Sequence, residues 1–159
     1  TKSIRDPRRL SLKSKIKLGK KLINIASSCI DISDGLCADL YHMLNASNLS
    51  ANIYEDKLIQ AMPSELKDAI KLNEIDLNEA MKFMLFGGDD YQLCFCVNPK
   101  NINKLNELNK LGNNEFKLLP IGEVICIKKE NKSILNLVKA NPDNKITIEL
   151  PNKGHNHFG

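Results

Sequence analysis

Apolar and polar positions alternate between two periods along this chain, and the switches between them mark its elements. Leu10, Leu12, Ile16, Leu18, Leu22, Ile23 and Ile25, interleaved with lysines, predict an amphipathic helix from about Leu10 to Ser27. Ser28 to Ile32 reads as a short β-rich strand that Asp34-Gly35 breaks, and Leu36, Leu40, Met43 and Leu44 return to helical spacing through about Asn45. A strand at Ala51 to Tyr54 follows. Pro63 is placed to open a helix through about Leu72, and another runs from Asn78 to Gly87-Gly88. Tyr91 to Val97 is the strongest strand pattern; Pro99 to Leu111 reads as a helix closed by Gly112. Lys117 to Ile127 reads as extended chain interrupted at Pro120 and Gly122, and short strands are predicted near Ile134 to Val138 and Ile146 to Leu150, ahead of a loop tail. This mixed order predicts an α+β or α/β sandwich with helices covering a sheet.

Composition narrows the class. At 159 residues and 17.9 kDa, 42% hydrophobic and 26% charged, the chain suits one globular domain and excludes wholesale disorder and fibrous architectures. No apolar run approaches the roughly 18 residues of a membrane span. Thr1 is followed by no basic-then-apolar leader, so neither a secretory signal nor a natural start is expected. The five cysteines (Cys29, Cys37, Cys94, Cys96, Cys126) form no C-x-x-C pair, which excludes a zinc-site spacing and a disulfide scaffold and leaves reduced thiols. Cys94 and Cys96 fall on one face of the predicted strand, as small buried hydrophobes.

The net charge of +4 is unevenly spread. Residues 1–21 hold nine of the 23 basic side chains and one acid, for a local +8; the remaining 138 residues carry −4. Such an arm could bind nucleic acid through counterion release. It has no aromatic residue to stack on bases, however, and its apolar spacing reads as a packed helix with lysines on the wet side. An abundance of Lys, Asn and Ile is attributed to an AT-rich genome.

Two segments could carry chemistry. In Cys29-Ile30-Asp31-Ile32-Ser33-Asp34-Gly35-Leu36 a strand runs into a helix, so alternation puts Asp31 and Ser33 on one face and delivers Asp34 at the turn. Two carboxylates and a hydroxyl suit Mg²⁺, and amides at the start of the next helix suit an anion. The structural alternative is a plain helix cap and turn. In Phe86-Gly87-Gly88-Asp89-Asp90-Tyr91-Gln92-Leu93-Cys94-Phe95, two glycines permit close approach of backbone to a ligand, ahead of adjacent carboxylates; the alternative is a helix C-cap followed by solvated acids. His42 and Tyr41, on the helix after the first segment, read as structural.

Together, I-D-I-S-D-G-L-x-A-D-L, then G-G-D-D-Y-x-L-C-F about fifty residues on, P-I-G-E-V downstream and G-x-x-H-F at the end resemble the C-terminal half of the thiamine-monophosphate kinases. The resemblance covers nearly the whole chain. It implies a three-layer α/β/α sandwich of the aminoimidazole-ribotide synthetase C-terminal-domain type, a mixed sheet covered by helices. It further implies phosphoryl transfer from ATP to thiamine monophosphate in the cytoplasm, giving thiamine diphosphate. By position, Asp31 and Asp34 would bind Mg²⁺, Ser33 would contact ATP phosphate, and Asp89 and His155 would bind the substrate. No residue is assigned a catalytic role beyond positioning metal and phosphate.

Asp89 stands where the family has Glu, Gln92 replaces a second Glu, and His155-Asn156 replaces an aromatic-aspartate pair. The resemblance also implies a single domain over 1–159, with 1–9 as linker, 10–150 as core and 151–159 as a substrate-side loop. A family N-terminal domain, absent here, would supply many metal ligands and the homodimer interface. Two alternatives remain: another ATP-using enzyme of the superfamily, of the aminoimidazole-ribotide synthetase, selenophosphate synthetase or hydrogenase-maturation type, and a non-enzymatic nucleic-acid or protein interaction module built on the basic arm. Salt-dependent binding to DNA or RNA separates these: an arm packed as a helix shows none, whereas steep salt dependence lost on deleting residues 1–21 would establish the module.

Overall fold

Three asparagines in the left-handed region punctuate the chain. A computed structural model describes residues 16–88, 92–111, 116–126, 132–140 and 145–152. In it Asn24, Asn48 and Asn73 have φ of 66°, 50° and 55°, a conformation Asn tolerates better than most residues, and each follows a helix. The first of them shortens the predicted opening helix. Helix α1, described over 16–22, stops at a turn before Asn24, and Ala26 and Ser27 belong to strand β1 (Ala26–Asp31). Leu18 and Leu22 are buried, but Ile16 and Ile23 are exposed, so the apolar stripe is narrower than the sequence spacing implies.

Helix α2 (Leu36–Ser47) ends at Asn48, whose amide bonds back to the Asn45 and Leu44 carbonyls. Strand β2 (Leu49–Tyr54) leads directly into α3 (Glu55–Ala61), a helix the sequence reading missed. Pro63 precedes α4 (Ser64–Lys71) as anticipated. Helix α5 (Leu77–Phe86) opens with a capping box: the Glu79 amide donates to Asp76 Oδ1 (2.8 Å) and the Asp76 amide to Glu79 Oε2 (3.2 Å). Strand β3 (Leu93–Val97), a 3₁₀ turn at Pro99–Asn101, α6 (Ile102–Leu111), and strands β4 (Gly122–Cys126), β5 (Leu135–Ala140) and β6 (Lys145–Glu149) complete the order. Every β3 side chain is half-buried, Cys94 and Cys96 included, so these thiols are less enclosed than the small buried hydrophobes expected.

The chain divides into two compact units, 1–29 with 95–118 and 30–94 with 119–159, and the division passes through β1 and β3, which pair as a two-stranded sheet. In the first unit, Asn101 Nδ2 donates to the Ile25 carbonyl (3.1 Å), Asn109 exchanges two hydrogen bonds with the Leu118 backbone, and Lys21 lies 5.5 Å from the Phe116 ring centroid. The second unit is built on a mixed sheet of order β4-β2-β5-β6, with β2 antiparallel to β4 and parallel to β5, and β5 antiparallel to β6. The α+β class and mixed sheet are those anticipated from the sequence. Gly122 does not interrupt β4: it opens the strand opposite Ile53, and a Cβ there would collide with the Asn52 carbonyl oxygen.

Ala51 and Ile53 of β2 face the core beside Leu135 and Leu137 of β5, and α2 and α3 pack on these two strands. The knot of this core is Tyr41. Its buried hydroxyl donates to the Leu150 carbonyl (2.7 Å) and accepts from the Leu135 amide (3.3 Å), tying α2 both to β5 and to the chain leaving β6. Burial, the main cause, raises the phenol pKa above its usual 10, so it remains a neutral donor. Replacing Tyr41→Phe leaves two buried backbone groups without their partner and is expected to cost about 1–3 kcal/mol in urea unfolding; a loss under a few tenths would mean that water substitutes fully.

Candidate functional site

Alternation in β1 leaves Ser27, Cys29 and Asp31 exposed and their neighbours half-buried. Asp31 is therefore the last residue of an outward-facing row. Ile32 is buried, its amide donating to the Gln92 carbonyl (2.8 Å), and the strand then breaks into a bend at Ser33-Asp34. Ser33 and Asp34 are half-buried in that bend and do not continue the strand, so alternation does not extend to Ser33 as expected. The three residues of the first segment fall within four positions, at the mouth of α2.

Gly35 sets the direction of the turn. With φ 106° and ψ 152° it occupies a region nearly restricted to glycine, and it is the N-cap of α2. A Cβ at this position would lie 3.0 Å from the Phe86 carbonyl carbon and 3.1 Å from the Phe86 and Gly87 carbonyl oxygens. The turn thus rests on the backbone that ends α5. That close approach brings the first segment against Phe86-Gly87, the start of the second. Asp89 and His155 lie outside the described residues, so the placement of these two substrate candidates is not part of the geometry.

The sequence reading gave no role to Asp39, and the structure supplies one. One turn into α2, this carboxylate is only 4% exposed, and its Oδ2 accepts from the Ser33 amide (2.8 Å) and the Asp34 amide (3.0 Å). Side chains on a helix lean toward its N-terminus, which is how residue 39 reaches back to residues 33 and 34. The helix dipole favours a negative charge at this end. Its signal was the A-D-L that follows S-D-G-L, in which an acid occupies the first turn of a helix with no side-chain cap at Gly35. The Ser33 and Asp34 amides, just ahead of the helix, are thus already engaged.

Cys37 sits in the same first turn, where the dipole alone would acidify a thiol. Burial wins: the side chain is fully buried and its pKa is pushed up to about 12. A thiolate nucleophile is excluded there at neutral pH. The exposed carboxylate of Asp31 and the half-buried carboxylate of Asp34 and hydroxyl of Ser33 are hard-oxygen donors of the kind that suits Mg²⁺, which usually takes only one or two protein carboxylates. Among the described residues no three His, Cys, Asp or Glu side chains come together as a metal-binding group. Asp31 and Asp34 can thus hold a cation only with further oxygens, from water, phosphate or other residues.

Gly35→Ala must strain this conformation or push α5 away; a loss of about 1–3 kcal/mol is expected on denaturant unfolding. Unchanged stability would show the turn to be plastic. In thiol labelling of the folded chain, the exposed Cys29 and Cys126 are expected to react well ahead of Cys37, which should wait for unfolding.

Similarity to known proteins bears on this arrangement. No protein-family model matches the sequence. The thiamine-monophosphate kinase of Haemophilus influenzae is 42% identical over 99 residues, covering 62% of this chain and 28% of that protein. The thiamine-monophosphate kinase of Buchnera aphidicola subsp. Schizaphis graminum is 35% identical over 144 residues, covering 91% of this chain and 39% of that protein. Among solved structures, AaThiL complexed with AMPPCP and TMP matches with a TM-score of 0.60 and 26% identity, covering 99% of this chain and 44% of that one. The chain therefore spans less than half the length of the relatives it matches.

Proposed function

Because this chain is homologous to part of the thiamine-monophosphate kinases, we propose that it is the C-terminal domain of an ATP-dependent kinase that converts thiamine monophosphate to thiamine diphosphate. The observation that carries this reading is the turn from Asp31 to Gly35, clasped to Phe86-Gly87, within a fold matched along 99% of the chain by a complex with an ATP analogue and TMP. In the reaction, a terminal phosphate oxygen of thiamine monophosphate attacks the γ-phosphorus of ATP, the bond to the β-phosphate oxygen breaks, and ADP leaves.

Such a transfer asks the protein for alignment and charge neutralisation rather than a nucleophile. Asp31 and Asp34 hold Mg²⁺, which when bound neutralises charge on the phosphate oxygens. Ser33, between them, offers a hydroxyl to ATP phosphate. Asp89 and His155 contact thiamine monophosphate, Asp89 with a side chain one methylene shorter than Glu and His155 by stacking in its neutral form. The remaining length seen in the relatives supplies the rest of the metal ligands and a homodimer interface, and the enzyme works in the cytoplasm. No helix among the described residues is long and apolar enough to cross a membrane.

Incubated alone with ATP, Mg²⁺ and thiamine monophosphate, the chain is expected to form no thiamine diphosphate. Grafted in place of the matching segment of the Buchnera kinase, it is expected to support product formation. A folded chimera that turns over no thiamine monophosphate would count against the assignment. Within an active chimera, Asp31→Asn should lower turnover about tenfold or more, most severely at limiting Mg²⁺, by removing one metal-facing charge.

A further inference from the structure

We propose that Asp39 is a positioning residue of this site: it holds the Ser33-Asp34 backbone by two charge-assisted hydrogen bonds while Asp31 and Asp34 take the metal, and does not itself ligate it. The proposal rests on the reading of Asp31 and Asp34 as metal ligands. Three carboxylates surround one turn, and the geometry separates their tasks. Asp31 is exposed and Asp34 half-buried, whereas Asp39 is enclosed, with Oδ2 2.8 and 3.0 Å from two successive amides. Successive N–H groups converging on one oxygen form the kind of concavity that elsewhere captures a phosphate. Here the protein's own carboxylate fills it.

Two consequences follow. The amides of residues 33 and 34 are withdrawn from the nucleotide, which leaves the Ser33 hydroxyl and the first amides of α2 to contact phosphate. The backbone at Ser33 and Asp34 is also fixed before any ligand arrives, so a cation need not order the turn. Loss of Asp39's charge would free the turn and weaken metal binding without removing a ligand.

The test uses the isotopically labelled 159-residue chain and Mg²⁺ alone, followed by nuclear magnetic resonance. In the wild type, Mg²⁺ is expected to shift resonances at Asp31, Ser33 and Asp34, while scalar couplings across the hydrogen bonds from the Ser33 and Asp34 amides to the Asp39 carboxylate persist at saturation. Disappearance of those couplings would make Asp39 a ligand and overturn the proposal. Asp39→Asn keeps the shape but loses the charge. It should speed hydrogen exchange at amides 33 and 34, and weaken Mg²⁺ binding, each by about tenfold or more, the factor expected for hydrogen bonds to a charged group. Exchange in β2 and β5 should stay unchanged. Equal Mg²⁺ affinity in a folded Asp39→Asn chain would overturn the positioning role and leave the metal site standing. No Mg²⁺ response at Asp31 or Asp34 in the wild type would overturn the underlying metal reading, and the proposal with it. Should the variant fail to fold, the wild-type couplings decide.

Discussion

The approach of Gly35 to the Phe86-Gly87 backbone is the constraint on which the site depends. At 3.0–3.1 Å from where a Cβ would be, the carbonyl groups ending α5 leave room only for hydrogen, and the φ of 106° admits few residues other than glycine. Two separate demands converge on one position. Meeting them lets the chain leave β1 and enter α2 after four residues, with the end of α5 against the turn. From there α2 packs on β2 and β5, and Tyr41 fastens it to Leu135 and Leu150. Turn, helix and sheet are thus oriented as one unit.

Solvent access gives side chains of similar chemistry different tasks around this turn. Asp39 is enclosed, and a buried carboxylate is tolerated only when hydrogen bonds replace its hydration; two backbone amides do so. Asp31 faces outward, where ligation of a cation carries no comparable desolvation cost. Cys37 makes the same point from the opposite side. Its place in the first turn of a helix favours the thiolate, yet the loss of water around the sulfur outweighs the dipole and pushes the pKa to about 12. What can react here is decided by burial before helix electrostatics.

The strands and most helices were legible because their signals are local: alternation in β2, Pro63 ahead of α4, the alternating run of β3. The misses are tertiary. The opening helix was extended through Ser27 because nothing in its spacing announces that Asn24 takes a left-handed conformation. Helix α3, seven residues at Glu55–Ala61, is too short for its period to stand out, and is held by packing on β2 and β5 and by the Glu55–Lys139 ion pair at 2.8 Å. Gly122 looked like a break because the Asn52 carbonyl that excludes a side chain there lies seventy residues away in sequence. At the site, Asp31, Ser33 and Asp34 were readable as a strand-to-helix junction. Asp39 was not, since its role appears only when the first helical turn folds back over the bend.

Among the described residues, three of the basic side chains near the start of the chain take their meaning from packing. Lys17, Lys20 and Lys21 are exposed on α1 while Leu18 and Leu22 are buried, so these cations occupy the solvated side of a packed helix. The acids of the turn answer to a different need. A magnesium ion wants about six oxygens in near-octahedral order, and the described residues bring no group of three ligating side chains together. Were Asp31 and Asp34 to hold Mg²⁺ as proposed, the missing oxygens would come from water, phosphate and other parts of the protein. A turn fixed in advance by Asp39 and Gly35 suits that arrangement, because a weak partial site contributes most when its geometry is already set before the ligand arrives.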